Sequence, residues 1–426
     1  MREMKDSGVD WIGSIPEHWE LRRAKSMFKQ STSKGNDRLV LLSATQDRGV
    51  VDKSTLDSVV QVSEDADLST FKTVHKNDFV ISLRSFQGGF EISHEEGVIS
   101  PAYTVFRLST QTYPHYYRHL FKSYGFIDKI NSLTVGIREG KNIQYVDFAN
   151  MLLPYISLAE QQKIAEFLDR KCAEVDEMIG LQEQIIEELK AYKQSVITEA
   201  VTKGLNPNAP MRDSGIEWIG QIPEHWEVGR MKNVATGFSN GTSTTQLSSE
   251  ESPYAVTRIE TISTGYINYN KVGYIPFFEG INKYELVKSD ILISNINSLE
   301  RVGNSAMYNG EQKLYHGMNL LRVHSNDRMI ALFLHYYLRS KAFLEQMKSY
   351  CNHAINQVSV SSSTLKNLFV AMPDIVEQQA IADYLDEKCA DIDSLIQTKQ
   401  SKIDSLKEYK KSIIYEYVTG KREVNE

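Results

Sequence analysis

Only three cysteines, Cys172, Cys351 and Cys389, occur among 426 residues. That number excludes a disulfide framework, and their spacing offers no clustered metal-ligand set. No stretch approaches the roughly 18 uninterrupted apolar residues of a membrane span, and Met1-Arg2-Glu3-Met4-Lys5-Asp6 lacks a signal peptide's hydrophobic region. A soluble, cytoplasmic protein with no membrane partner is expected. The chain also lacks a Gly-rich loop ending in Gly-Lys-Ser/Thr, a Gly-x-Gly-x-x-Gly fingerprint and a His-Glu-x-x-His pair. Asn206-Pro207-Asn208-Ala209-Pro210 has neither the adjacent prolines nor the aromatic residue of an amino-methyltransferase motif. Catalysis, a metal and a cofactor are therefore not expected in this chain.

Tryptophan is scarce too, and its placement is informative. All four lie in one segment written twice, Trp11-Ile12-Gly13-Ser14-Ile15-Pro16-Glu17-His18-Trp19 and Trp218-Ile219-Gly220-Gln221-Ile222-Pro223-Glu224-His225-Trp226. A second duplication pairs Glu160-Gln161-Gln162 and Lys171-Cys172-Ala173 with Glu377-Gln378-Gln379 and Lys388-Cys389-Ala390. The chain is one unit used twice, which predicts two domains in an approximate two-fold relation. His18 and His225 read as parts of turns packed by the tryptophans rather than as metal ligands.

The net charge of −7 hides a partition. Residues 21–153 carry 17 basic against 14 acidic residues and 228–371 carry 14 against 10, whereas 154–205 and 373–420 each hold 6 against 10. A positive excess confined to the divergent regions suits phosphate contact there and protein contact along the acidic tracts.

The acidic tracts read as long helices. Ser157-Leu158-Ala159-Glu160 has the form of a capping box, and Asp374-Ile375-Val376-Glu377 stands at the equivalent place. Ile164, Leu168, Val175, Ile179, Ile186 and Leu189 recur at threes and fours, as do Ile381, Leu385, Ile392, Ile396, Ile403 and Leu406. About 43 residues at ~1.5 Å each give a rod of roughly 65 Å, so the two stripes should pair with each other. Gln182, Lys193, Lys399 and Lys410 fall on or near that seam. They would weaken a coiled coil but can fix its register. The short linker at 204–210 requires the second helix to run back, which makes the pair antiparallel. The expected architecture is α+β: two α/β domains separated by two long antiparallel helices with pseudo-two-fold symmetry. Its boundaries fall at 1–153 and 154–205 for the first domain and helix, and at 206–372 and 373–426 for the second.

Both divergent regions contain β-rich runs, Asp78–Leu83 and Asp290–Ser294, each following a Lys-x-Asp step. The loops after them carry candidate base readers: Arg84, Ser85, Gln87 and Gly88 in the first, and Asn295, Asn297, Ser298 and Arg301 in the second. Arginine suits guanine and amides suit adenine, while glycine permits close approach. Polar, turn-prone segments later in each region add Arg138, Lys141 and Asn142, then Asn356 and Gln357, with phosphate the expected partner of Lys141. A solvated turn would use many of the same residues.

In the order Trp-Ile-Gly-x-Ile-Pro-Glu-His-Trp, Glu-Gln-Gln, and again, closing on Val418-Thr419-Gly420-Lys421, the chain resembles the DNA-specificity subunits of type I restriction-modification systems. The first copy departs slightly, reading Val201-Thr202-Lys203-Gly204. The resemblance implies two target-recognition domains, each reading one block of a split target in double-stranded DNA, with the helices as a ruler between them. It also implies partners: two modification subunits that bind S-adenosylmethionine and methylate DNA, and two restriction subunits that translocate using ATP and Mg. Two rivals remain from the residues alone, a coiled-coil adaptor with protein-binding end domains and a self-contained DNA methyltransferase.

Overall fold

The computed structural model describes residues 2–34, 39–56, 68–82, 89–109, 112–133, 143–246, 251–355 and 357–424. Two compact units emerge, one built from Met1–Glu183 with Ser401–Glu426 and the other from Gln184–Gln400. Each therefore combines a divergent region, the start of its own long helix and the end of the other one.

In the first unit a four-stranded antiparallel sheet has the order Phe28–Ser31, Thr104–Leu108, Phe79–Ile81, Phe90–Ile92. The helices Pro114–Lys122 and Tyr124–Leu133 follow its last strand. The core beneath is aromatic: Phe28, Phe79, Phe90, Phe106, Phe121 and Phe126 are fully buried, and Phe79 stacks on Phe106 at 5.4 Å. Such rings remove large apolar areas from water and favour offset or edge contacts. The second unit repeats the plan with Ala235–Asn240, Leu320–Ser325, Ile291–Ser294 and Ser305–Met307, followed by Ala331–Arg339 and Lys341–Ser349. Its core is mainly aliphatic, with Ile291, Ile293, Leu321, Val323 and Leu334 buried.

The Lys-x-Asp steps are tight turns at the start of a central strand. Asp78 accepts the His75 backbone N–H at 3.0 Å and Asp290 accepts that of Val287 at 2.9 Å. The middle residues, Asn77 and Ser289, hold φ of 70° and 75°. Asparagine tolerates this left-handed region; serine does so at some cost. Both aspartates are buried, which raises their carboxyl pKa, while Arg107 and Arg322 on the neighbouring strand oppose that rise.

The long helices are Leu158–Lys203 and Ile375–Val418. Ser157 Oγ accepts the Glu160 N–H at 3.2 Å and Asp374 Oδ1 that of Glu377 at 2.8 Å, so half of each capping box is made. The other half is not, because both glutamates point elsewhere. Within the first unit the helices run antiparallel: Phe167 meets Tyr417 with ring centroids 4.5 Å apart, and Asp176 meets Lys410 at 2.6 Å. Within the second, Lys193 meets Asp393 at 2.6 Å while the glycine after the first helix, Gly204, lies against Glu377. Val175, Ile186, Ile392, Ile403 and Leu406 are buried along the stripes, and Ile179, Leu189 and Ile396 are half-buried. Ile164 and Leu168 reach further, packing in one cluster with Trp19 and Leu153 of the domain and Ile413 and Val418 of the partner helix. Ile381 and Leu385 do the same in the second unit with Trp226, Ile197 and Val201.

Candidate nucleic-acid interface

Several candidate readers, Arg84, Ser85, Gln87, Gly88, Arg138, Lys141, Asn142 and Asn356, lie outside the described residues. The second unit describes the rest. Its strand Ile291–Ser294 ends at Asn295, which is only 6 % exposed. There the side-chain amide donates to the Val360 carbonyl at 3.2 Å, and the backbone carbonyl accepts the Val360 N–H at 2.8 Å. Asn295 is a clip between two segments and not the free base reader expected from its place after the strand. Asn297 is also spent internally: it donates to Ser294 Oγ at 3.1 Å and accepts the Ser298 N–H at 2.9 Å. The reason is local, since the chain turns here and both amides bond to neighbouring segments, although the buried Asn295 Oδ1 has no hydrogen-bond partner among the described residues. Ser298, Arg301 and Gln357, by contrast, are exposed.

Beside this turn the strands Asn352–Ala354 and Gln357–Ser359 pair antiparallel, and Gln357–Ser359 also pairs with Ile296–Asn297. The bend between the first two carries Ile355, 91 % exposed. At its foot lies a groove of about 400 Å³ whose lining includes Asn240, Ser243, Asn295, Met318, Asn319 and Asn352. Amides that donate and accept, beside an exposed aliphatic group, form a surface able to meet base edges and a thymine methyl. Gly241 allows the backbone to close here, since a Cβ would fall 2.0 Å from the Gly317 carbonyl oxygen. Sequence reading did not single out Asn240 and Asn319, for which the Asn240-Gly241 pair was the available signal, whereas Ile355 lies in the polar, turn-prone segment 352–357 already marked as a candidate.

Residues 223–408 match the model of the type I restriction modification DNA specificity domain. That segment and the relatives below make the chain similar to type I restriction enzyme specificity subunits. Among relatives, the putative type I restriction enzyme MjaX specificity subunit of Methanocaldococcus jannaschii is 38 % identical over 205 residues, 47 % of each chain. The EcoKI specificity subunit of Escherichia coli K12 is 26 % identical over 283 residues, 65 % of this chain and 59 % of that one. The chain thus spans about half to two thirds of the length of the curated relatives it matches. In fold it is similar to a chain solved in work on complex assembly and conformational transition of the type I R-M system, with TM-score 0.71 at 15 % identity over 95 % of this chain and 98 % of that one. The HsdS subunit from Thermoanaerobacter tengcongensis gives 0.50 at 16 % identity over 96 % and 98 %.

In this chain the duplicated motifs are frame. Glu160 accepts the indole N–H of Trp19 at 3.0 Å, lies 3.3 Å from His18 Nε2 and is paired with Arg2. Glu377 does the same with Trp226 and His225, both at 2.9 Å. These donors hold the Glu160 carboxyl below its ordinary pKa against the opposing effect of burial. Each following glutamine is fully buried and clips backbone: Gln161 accepts the Tyr113 N–H at 2.7 Å and donates to Ile156 O at 2.9 Å. Gln378 accepts the Ile330 N–H at 2.8 Å and donates to Pro373 O at 2.9 Å. The Trp-Ile-Gly-x-Ile-Pro-Glu-His-Trp and Glu-Gln-Gln segments therefore recur together because they bond to each other.

Proposed function

We propose that this chain is the sequence-reading subunit of a type I restriction-modification complex, each unit reading one block of a split target in double-stranded DNA. The observation that supports the reading is a shared frame, in which Glu160 accepts the Trp19 indole and Glu377 that of Trp226, carrying sequences after the central strands, 82–89 and 295–304, that differ in length and composition. The positive excess of both divergent regions supplies the sequence-independent phosphate attraction. In the second unit, Ser298, Arg301, Gln357 and the amide groove supply donors and acceptors for base edges. The paired helices act as the ruler between blocks.

The chemistry belongs to partners in this reading. Two modification subunits bring S-adenosylmethionine and methylate DNA, two restriction subunits bring ATP and Mg, and this chain gives the address without a catalytic step. The test is a fluorescence titration of labelled duplexes carrying the methylated motif of the host, or a scrambled one, with the chain assembled with modification subunits. Tighter binding to the motif at 150 mM salt is expected. Equal affinity for both duplexes would instead favour an adaptor whose end domains grip proteins.

A further inference from the structure

The first unit contains an open cleft of about 830 Å³ between its divergent region and the helix pair. Its walls are ionic: Asp176 bonded to Lys410 at 2.6 Å, Arg118 and His119 on Asp169, and Lys122 on the buried Glu91 at 2.5 Å. The second unit keeps part of this cage, with His335 and Tyr336 standing where the first unit has Arg118 and His119. The 217-residue offset that superposes Glu160 on Glu377 carries Asp176 to Asp393, Lys410 to Lys193, Lys122 to Arg339 and Asp169 to Asp386. There Tyr266, 48 % exposed, lies over the charged groups. Tyr266 places its hydroxyl 3.0 Å from Asp393 Oδ2, with Lys193 Nζ 5.7 Å and the Arg339 guanidinium 5.4 Å from its ring centroid. A phenol so held gains one charge-assisted hydrogen bond and two cation–π contacts.

The difference lies in one connection. Tyr254–Val256 and Gly273–Ile275 pair antiparallel across sixteen intervening residues that include Tyr266, whereas Leu42–Thr45 and Gly49–Asp52 are joined by three, Gln46 to Arg48, which form part of the cleft wall. Among the described residues of the first unit, none enters the cage as Tyr266 does.

We propose that the first-unit cleft is a docking site for a tyrosine side chain presented by a partner polypeptide, its hydroxyl on Asp176 and its ring beneath Lys410 and Lys122. A polypeptide fits better than a free amino acid, because Tyr266 reaches the twin cage on a loop and the cleft is far larger than one ring.

The probe is N-acetyl-tyrosinamide, followed by saturation-transfer NMR on the full chain, with N-acetyl-phenylalaninamide and free L-tyrosine as comparisons. The capped tyrosine is expected to bind several-fold more tightly than the capped phenylalanine. Ala173→Phe, at an exposed helix position lining the cleft, should abolish that binding without breaking an ion pair. Tyr266→Ala should open the twin cage and restore binding in the Ala173→Phe background. Indifference to the hydroxyl, or unchanged binding in Ala173→Phe, would overturn the proposal. Tighter binding of free L-tyrosine than of its capped form would overturn the polypeptide occupant in favour of a small molecule. None of these outcomes depends on DNA, so the test stands apart from that of the proposed function.

Discussion

Lys193 Nζ lies 2.6 Å from Asp393 Oδ2, and the twin of this bond joins Lys410 to Asp176 at the same distance. Lysine on an apolar seam would ordinarily weaken helix pairing but can fix its register. Each bonds an aspartate of the facing helix within its own unit, so a slip of register would strand a charge beside apolar neighbours. Lys193→Ala is expected to lower unfolding stability by about 1 kcal/mol, because Asp393 is partly exposed and solvent screens the pair. Lys193→Asp combined with Asp393→Lys should recover most of it, measured by urea denaturation as a double-mutant cycle. Additive losses would show that the pair does not couple.

The glutamates that open the long helices should matter more. Glu160→Ala leaves the buried indole N–H of Trp19 without its acceptor and removes the anchor of Arg2, so a loss of about 1–3 kcal/mol is expected. Glu377→Ala should act likewise on Trp226. Thermal melts followed by tryptophan emission check both, since every tryptophan lies in these two segments.

Acid sensitivity follows from buried histidines in the second unit. Burial lowers His335 to about 3 and His316 to about 4, so both stay neutral in the folded chain where the unfolded chain takes up protons below about 6.5. Stability attributable to them is complete above that pH and falls as pH drops toward 4. His335→Gln should flatten the decline between pH 6.5 and 4 in equilibrium unfolding.

Glu91 acts in the opposite sense. Burial raises its pKa to about 7 despite Lys122, so between about 4.5 and 7 the folded chain holds a proton that the unfolded chain releases. Its contribution therefore becomes less favourable as pH rises through that window. Glu91→Gln should remove this slope, and an unchanged slope would place the charged form in the folded state.

At the reading surface, exposed and clipped residues should separate. Arg301→Ala and Gln357→Ala are expected to reduce discrimination between cognate and altered blocks by about 1–3 kcal/mol at one position each, leaving folding intact. Asn295→Ala should lower stability instead, since it removes the bond to Val360. Paired duplex titrations and thermal melts distinguish the two patterns.

The long helices and the doubled frame were legible in the sequence because both rest on local, periodic or literally repeated residues. The antiparallel register inside each unit followed from the short linker at 204–210. Long-range bonds were not legible: nothing in Glu160 announces that it turns back to Trp19, 141 residues away, instead of closing its own capping box. Asn295 misled for a related reason. A residue after a strand looks solvent-facing until the segment that covers it, here Val360, is in place. Tyr266 sits in an unremarkable stretch, and only the offset between the two copies exposes its role.

The central claim is that one unit reads one block. Mapping methylated bases across host DNA, with the native chain and with Arg301→Ala plus Gln357→Ala, tests it most directly. Two short blocks separated by a fixed unspecified spacer are predicted, with sequence preference relaxed in only one of them by the double variant. A single contiguous motif, or equal relaxation in both blocks, would contradict it.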